Sequence, residues 1–170
     1  MKCLKPPDTH HLAAAQGWLG LGNHFEANAE LERITVRARI HPDVLEAGCL
    51  IYAKARKWQA CVDIAATLVR LAPERAEGWI QRSFALHALK RTQEAFEKLL
   101  PVAIRFPNVW VIPYNLACYC SQLGRFDEAQ AWFKRAIVID EKCVQRAGID
   151  DPDLQPLWDS MSTTLWQRVE

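Results

Sequence analysis

Three stretches of the chain carry the same order of small, ring-bearing and apolar side chains. Lys57 to Pro73 reads KWQACVDIAATLVRLAP, Lys90 to Pro107 reads KRTQEAFEKLLPVAIRFP, and Leu123 to Asp140 reads LGRFDEAQAWFKRAIVID. In each, apolar residues recur at helical spacing, which predicts an amphipathic helix. Each also has a small residue early in its stripe: Cys61, Ala95 and Ala129 are evenly spaced, and one more step back from Cys61 reaches Ala27. Pro73 and Pro107 close two of the stripes at the same interval. Small side chains let two helices approach closely, and larger ones fill the space on either side.

That interval, sustained over the chain, is about 34 residues, the period of tetratricopeptide (TPR) repeats, each a helix-turn-helix. The chain resembles that family over residues 8–143, framed as repeats 8–41, 42–75, 76–109 and 110–143. Position 8 of each repeat holds Ala15, Cys49, Ser83 and Ala117; position 20 holds Ala27, Cys61, Ala95 and Ala129. Position 11 holds Trp18, Tyr52, Leu86 and Cys120, read as larger packing residues, with Leu31, Ala65, Leu99 and Phe133 at position 24. The resemblance implies an all-α fold, a right-handed α-α superhelix of about four TPR repeats, the first degenerate. An arm at 1–7 precedes them and a C-terminal capping segment at 144–170 follows.

The departures carry expectations of their own. The proline of repeat 1 comes late, at Pro42, which predicts a long second helix there. Pro101 falls inside the second helix of repeat 3 and should kink it. Gly48 and Arg82 stand where the family has Leu. In the tail, Asp150-Asp151-Pro152-Asp153 reads as a turn. Leu154, Leu157, Trp158, Met161, Leu165 and Trp166 then supply one face of a last helix. A solenoid must cover its final apolar face, so the tail reads as a cap. The alternative is a segment that folds back into the binding groove.

Composition narrows the function. Lys plus Arg number 21 and Asp plus Glu 20, so the basic surplus that drives nucleic-acid or anionic-membrane association is missing. No apolar run approaches the length of a membrane span. The polar start MKCLKPPDTHH does not read as a signal peptide, which predicts a cytoplasmic protein with reduced thiols. The six cysteines include no C-x-x-C pair and read as fillers of small buried slots. No phosphate-binding glycine loop, G-x-S-x-G or H-E-x-x-H occurs. The expectation is a non-enzymatic protein with no catalytic residues, no cofactor and no metal. A further alternative is an enzyme or metal-dependent regulator built on Cys118, Cys120 and His87.

The resemblance also implies where a partner binds, because the family's first helices line a concave groove. Repeat 2 contributes Asp43, Glu46, Leu50, Ala53 and Lys54. Repeat 3 contributes Glu77, Ile80, Gln81, Phe84, His87 and Ala88. Repeat 4 contributes Val111, Tyr114, Asn115, Cys118, Ser121 and Gln122. The centre is apolar and aromatic, and the early end is acidic. The cations that some members use to clamp a carboxylate terminus are missing, with Lys54 alone. The expected function is a scaffold module binding an apolar peptide or protein segment, with basic residues toward the acidic end. The alternative is a homodimer, or a groove filled by the chain's own tail.

Overall fold

A computed structural model describes residues 3–167, with side chains described as far as Met161. Every regular element among them is a helix. The chain divides into two compact units, Met1–Leu89 and Lys90–Glu170. The first holds α1 (Asp8–Gly20), α2 (His24–Arg33), α3 (Pro42–Lys54), α4 (Trp58–Leu71) and α5 (Ala76–Ala88). The second holds α6 (Thr92–Leu99), α7 (Val102–Arg105), α8 (Val111–Gln122), α9 (Phe126–Ile139), α10 (Glu141–Gly148) and α11 (Gln155–Gln167). Among the described residues no helix is long and apolar enough to cross a membrane.

Short turns make helical hairpins of α1 with α2, α3 with α4, and α8 with α9. The small residues are sealed within the packing. Ala15, Cys49, Ser83 and Ala117, and Ala27, Cys61, Ala95 and Ala129, are all 0% exposed. The Cys61 thiol donates to the Cys49 carbonyl oxygen across 3.5 Å, so α4 meets the backbone of α3 with no room for a larger side chain. Tyr52 and Leu86 are covered to different degrees, whereas Trp18, expected as a packing residue, is exposed.

The turns keep the same period. Gly22, Arg56, Lys90 and Gly124 all have positive φ, between 54° and 79°, and each stands one repeat after the last. After α1, the Gly22 amide donates to the Leu19 carbonyl and the Asn23 amide to that of Trp18. Arg56 with Lys57, and Gly124 with Arg125, close α3 and α8 in the same way. This Schellman-type closure satisfies helix-end carbonyls and needs one left-handed residue.

In the first unit, Leu12, Ile34, Val44 and Ala47 form one core cluster. Leu45, Leu68 and Ala72 form another. Gly78 at the start of α5 allows close contact: a Cβ there would stand 3.0 Å from Leu68 Cγ.

One expectation about the helices is corrected. The second helix of repeat 1 does not run long, because α2 ends at Arg33 and Ile34 is extended. Arg39 takes the freed carbonyls of Glu32 and Ile34, and the Asp8 carboxylate accepts from the Thr35 amide and hydroxyl. Those tertiary bonds replace the turns that a longer helix would have made. In repeat 3, Pro101 disturbs the second helix where its position predicts, although Leu100 and Pro101 both keep right-handed helical dihedrals. The proline has no N–H to donate, α6 stops at Leu99, and α7 restarts at Val102.

The tail begins with α10, capped by the Asp140 carboxylate accepting from the Cys143 amide at 3.0 Å. The stretch after it turns, with the Asp153 amide donating to Asp151 Oδ1. Leu154 and Leu157 are buried, and α11 packs on both α8 and α9. The side chains of Leu165 and Trp166 lie outside the described residues.

Candidate functional site

Two faces carry the residues singled out above, one in each unit. In the first unit, the two expected anchors Leu50 on α3 and Phe84 on α5 are 38% and 42% exposed. Both occupy position 9 of their repeats, and α3 packs beside α5. Ile80 lies one turn before Phe84 and is half-buried. The half-buried ring of Trp58 meets Phe84 edge-on, with centroids 5.8 Å apart and planes at 78°. Such edge-to-face contact holds the Phe84 ring in place while leaving part of it to solvent. Lys54, Glu77 and Gln81 flank these apolar side chains along the same two helices. His87 is buried, so it does not line an open surface.

The acidic end of this face is less acidic than its sequence. Arg75, in the turn between α4 and α5, pairs with Asp43 at 2.5 Å and approaches Glu46 at 3.4 Å. Burial pushes the Glu46 carboxyl up, the neighbouring Glu77 adds to that, and Arg75 opposes it. Sequence reasoning missed Arg75. The available signal was a lone cation just before α5, almost one full repeat after the acid it meets. His41 caps α3, its Nδ1 accepting from the Asp43 amide. A cleft of about 630 Å³ opens beside this end, bordered by Leu12, Gln16, His41 and Arg75.

In the second unit the corresponding face is not open. Tyr114, Cys118, Ser121 and Gln122 follow one another along one side of α8, and the first three are buried. Cys118 occupies position 9, as Leu50 and Phe84 do, yet it is only 4% exposed. The cover is the chain's own tail. The Tyr114 hydroxyl donates to Asp151 Oδ2 at 2.5 Å, and the Cys118 thiol points to the same oxygen at 3.7 Å. The Gln122 amide donates to the Asp153 carbonyl at 3.1 Å, and the Leu157 amide donates to Ser121 Oγ at 3.2 Å. Trp158 stands edge-on to Phe133 of α9 at 5.1 Å, and Phe133 also meets Tyr114. The expectation that Tyr114 and Cys118 line an accessible groove is therefore corrected. Val111 and Asn115 remain half-buried, and Gln122 is exposed but engaged by the tail.

The thiol candidate loses its chemical basis. Burial first, and then the Asp151 carboxylate, push the Cys118 thiol up. Cys120 is pushed up to about 11, again chiefly by burial. A reactive cysteine needs the opposite shift. Among the described residues, no group of three or more His, Cys, Asp or Glu is arranged to hold a metal ion.

Residues 114–143 match the family model of the tetratricopeptide repeat. No curated protein matches the chain in sequence. Solved structures share its fold. A thermophilic TPR protein of Thermus thermophilus is 18% identical, with 94% of this chain and 91% of that chain covered and a TM-score of 0.73. MamA of Desulfovibrio magneticus RS-1, residues 41 to the end, is 14% identical over 99% of both chains, with a TM-score of 0.71. MamA of AMB-1 is 23% identical over 79% of this chain and 80% of that chain, with a TM-score of 0.68.

Proposed function

We infer that this tetratricopeptide-repeat protein is a protein-interaction scaffold whose α3–α5 face binds an apolar segment of a partner. The observation that supports this most is the pair Leu50 and Phe84. Both are large, apolar and well exposed on adjacent helices. Covering what remains exposed of each side chain is worth about 1 kcal/mol, and a few such anchors dominate most interfaces. A helical or extended segment would seat its apolar side chains on Leu50, Ile80 and Phe84. Lys54, Glu77 and Gln81 would form the polar rim. Asp43 and Glu46 are already engaged by Arg75, so Glu77 is the acid that would select a basic residue.

The experiment is to replace Leu50 and Phe84 singly by Glu in the full chain. Both positions are partly exposed, so the helical circular dichroism spectrum should persist. Partner capture from the native host should fall at least about tenfold for each, the cost of losing one such anchor. Undiminished capture with intact helicity would reject this face. Concentration-dependent mass in light scattering, abolished by Phe84→Glu, would make the partner a second copy of the chain.

A further inference from the structure

The tail does more at α8 than cover apolar surface, because polar groups on α8 read polar groups on the tail. One carboxylate, that of Asp151, takes the Tyr114 hydroxyl and faces the Cys118 thiol. One backbone carbonyl, that of Asp153, takes the Gln122 amide. One backbone amide, that of Leu157, is held by Ser121 Oγ. Leu154 and Leu157 are buried and Trp158 sits against Phe133. These groups fall within one short run of the chain, Asp151 to Trp158. On the α8 side, the binding residues stand at i, i+4, i+7 and i+8, one stripe of a helix.

Sequence made room for this occupant. Position 9 carries Gln16, Leu50 and Phe84 in the first unit but the small Cys118 here. A large side chain there would displace Asp151. Ile149 is 80% exposed and Asp150 is exposed, so a solvated pair separates that run from α10.

We propose that the α8 face is a peptide-recognition surface held by residues 151–158 as a ligand in cis, and that it accepts from a partner protein a segment of the same chemistry. That segment carries an Asp, apolar residues three and six positions later, and an aromatic residue at the seventh. The partner displaces the tail by supplying the same hydrogen bonds and the same apolar contacts. This surface lies wholly in the second unit and is independent of the Leu50–Phe84 reading. Binding in trans is weakened by the competing tail, since only the fraction of molecules with the tail released is competent.

The test uses the full chain and a fluorescein-labelled peptide of residues 149–160, read by fluorescence anisotropy. Asp151 then has opposite effects according to where it is changed. Asp151→Ala in the protein weakens the tail's hold and should tighten peptide binding about tenfold, the worth of one charge-assisted hydrogen bond. The same change in the peptide should weaken binding to that opened protein by a similar factor. Asp151→Asn, which keeps the side chain's shape, should move both affinities in the same directions by less, and serves if the alanine variant fails to fold. Ile104→Glu, at a position of α7 that is 83% exposed, should leave peptide binding unchanged. Equal binding by the parent and the variants, or no binding by a variant with full helicity, would overturn the proposal and leave the tail as a structural cap.

Discussion

Arg75, in the turn before α5, is paired with Asp43 at the start of α3 across 2.5 Å. The same guanidinium approaches Glu46. One cation thus spans two acids on the neighbouring helix and neutralises the end of the face that holds Leu50 and Phe84. All three side chains remain about a third exposed or more, so the pairing is screened and stabilises weakly. Arg75→Ala should cost only about 0.5–1 kcal/mol, measured by urea denaturation at neutral pH.

Its pH dependence is more informative. Glu46 already has a raised carboxyl pKa, and Arg75 is the group that opposes the rise. A raised acid holds its proton more tightly in the folded state, so stability falls as pH climbs above the ordinary value of 4.5. Arg75→Ala should steepen that fall. Urea denaturation from pH 4.5 toward neutrality measures it, and Glu46→Gln should flatten it.

Tyr114 titrates in the opposite range. Burial and the hydrogen bond to Asp151 hold its phenol protonated above the ordinary value of 10.0. The unfolded chain releases that proton more readily, so the stabilisation is whole below pH 10.0 and declines as pH rises past it. Tyr114→Phe should make the stability curve flatter on the alkaline side. Thermal denaturation at about pH 8 and pH 11 compares the two.

Two helical glycines should respond to alanine with opposite signs. At Gly48 a new Cβ would stand 3.5 Å from Ile64 Cδ1, an ordinary contact. Gly48→Ala should therefore gain about 0.5–1 kcal/mol from backbone entropy. At Gly78 the new Cβ would stand 3.0 Å from Leu68 Cγ and 3.2 Å from Val69 Cγ2. Overpacking of about 1–3 kcal/mol should outweigh the helix gain there. Melting temperatures of the two variants decide it.

The left-handed turn residues give another pair. Arg56 carries a side chain at a φ of 54°, and Gly124 has none at 72°. A left-handed conformation costs an ordinary residue about 1–2 kcal/mol, and glycine gives part of that back through its freer unfolded chain. Arg56→Gly should raise stability by about 0.5 kcal/mol, and Gly124→Ala should lower it by about 1 kcal/mol. Chemical denaturation measures both.

Much of the fold was legible because it is repetitive and local. Ala15, Cys49, Ala27 and Cys61 are small where helices touch, and that constraint appears directly as residue size at fixed intervals. The turn at Asp150 to Asp153 was legible from its composition. What escaped depends on partners far along the chain. The end of α2 is set by Asp8 and Arg39, which no reading of α2 alone reveals.

The candidate site divides in the same way. Leu50 and Phe84 follow from register, because their exposure is decided by their own helices. Tyr114 and Cys118 belong to the same face of their repeat and are covered by residues far later in the chain. Their burial depends on where the tail goes, and the small size of Cys118 was the one hint that something else would fill the space. Arg75 was overlooked because a turn residue lies outside any helical face.

The most direct test of the scaffold reading is site-specific photocrosslinking in the native host. A benzophenone amino acid is placed at Phe84, and at the exposed Leu71 of α4 as a control. The expected result is a discrete partner adduct from position 84, absent from position 71 and lost when Leu50→Glu is added. Identical adducts from both positions, or adducts that survive Leu50→Glu in a chain of intact helicity, would rule out the α3–α5 face as the docking surface.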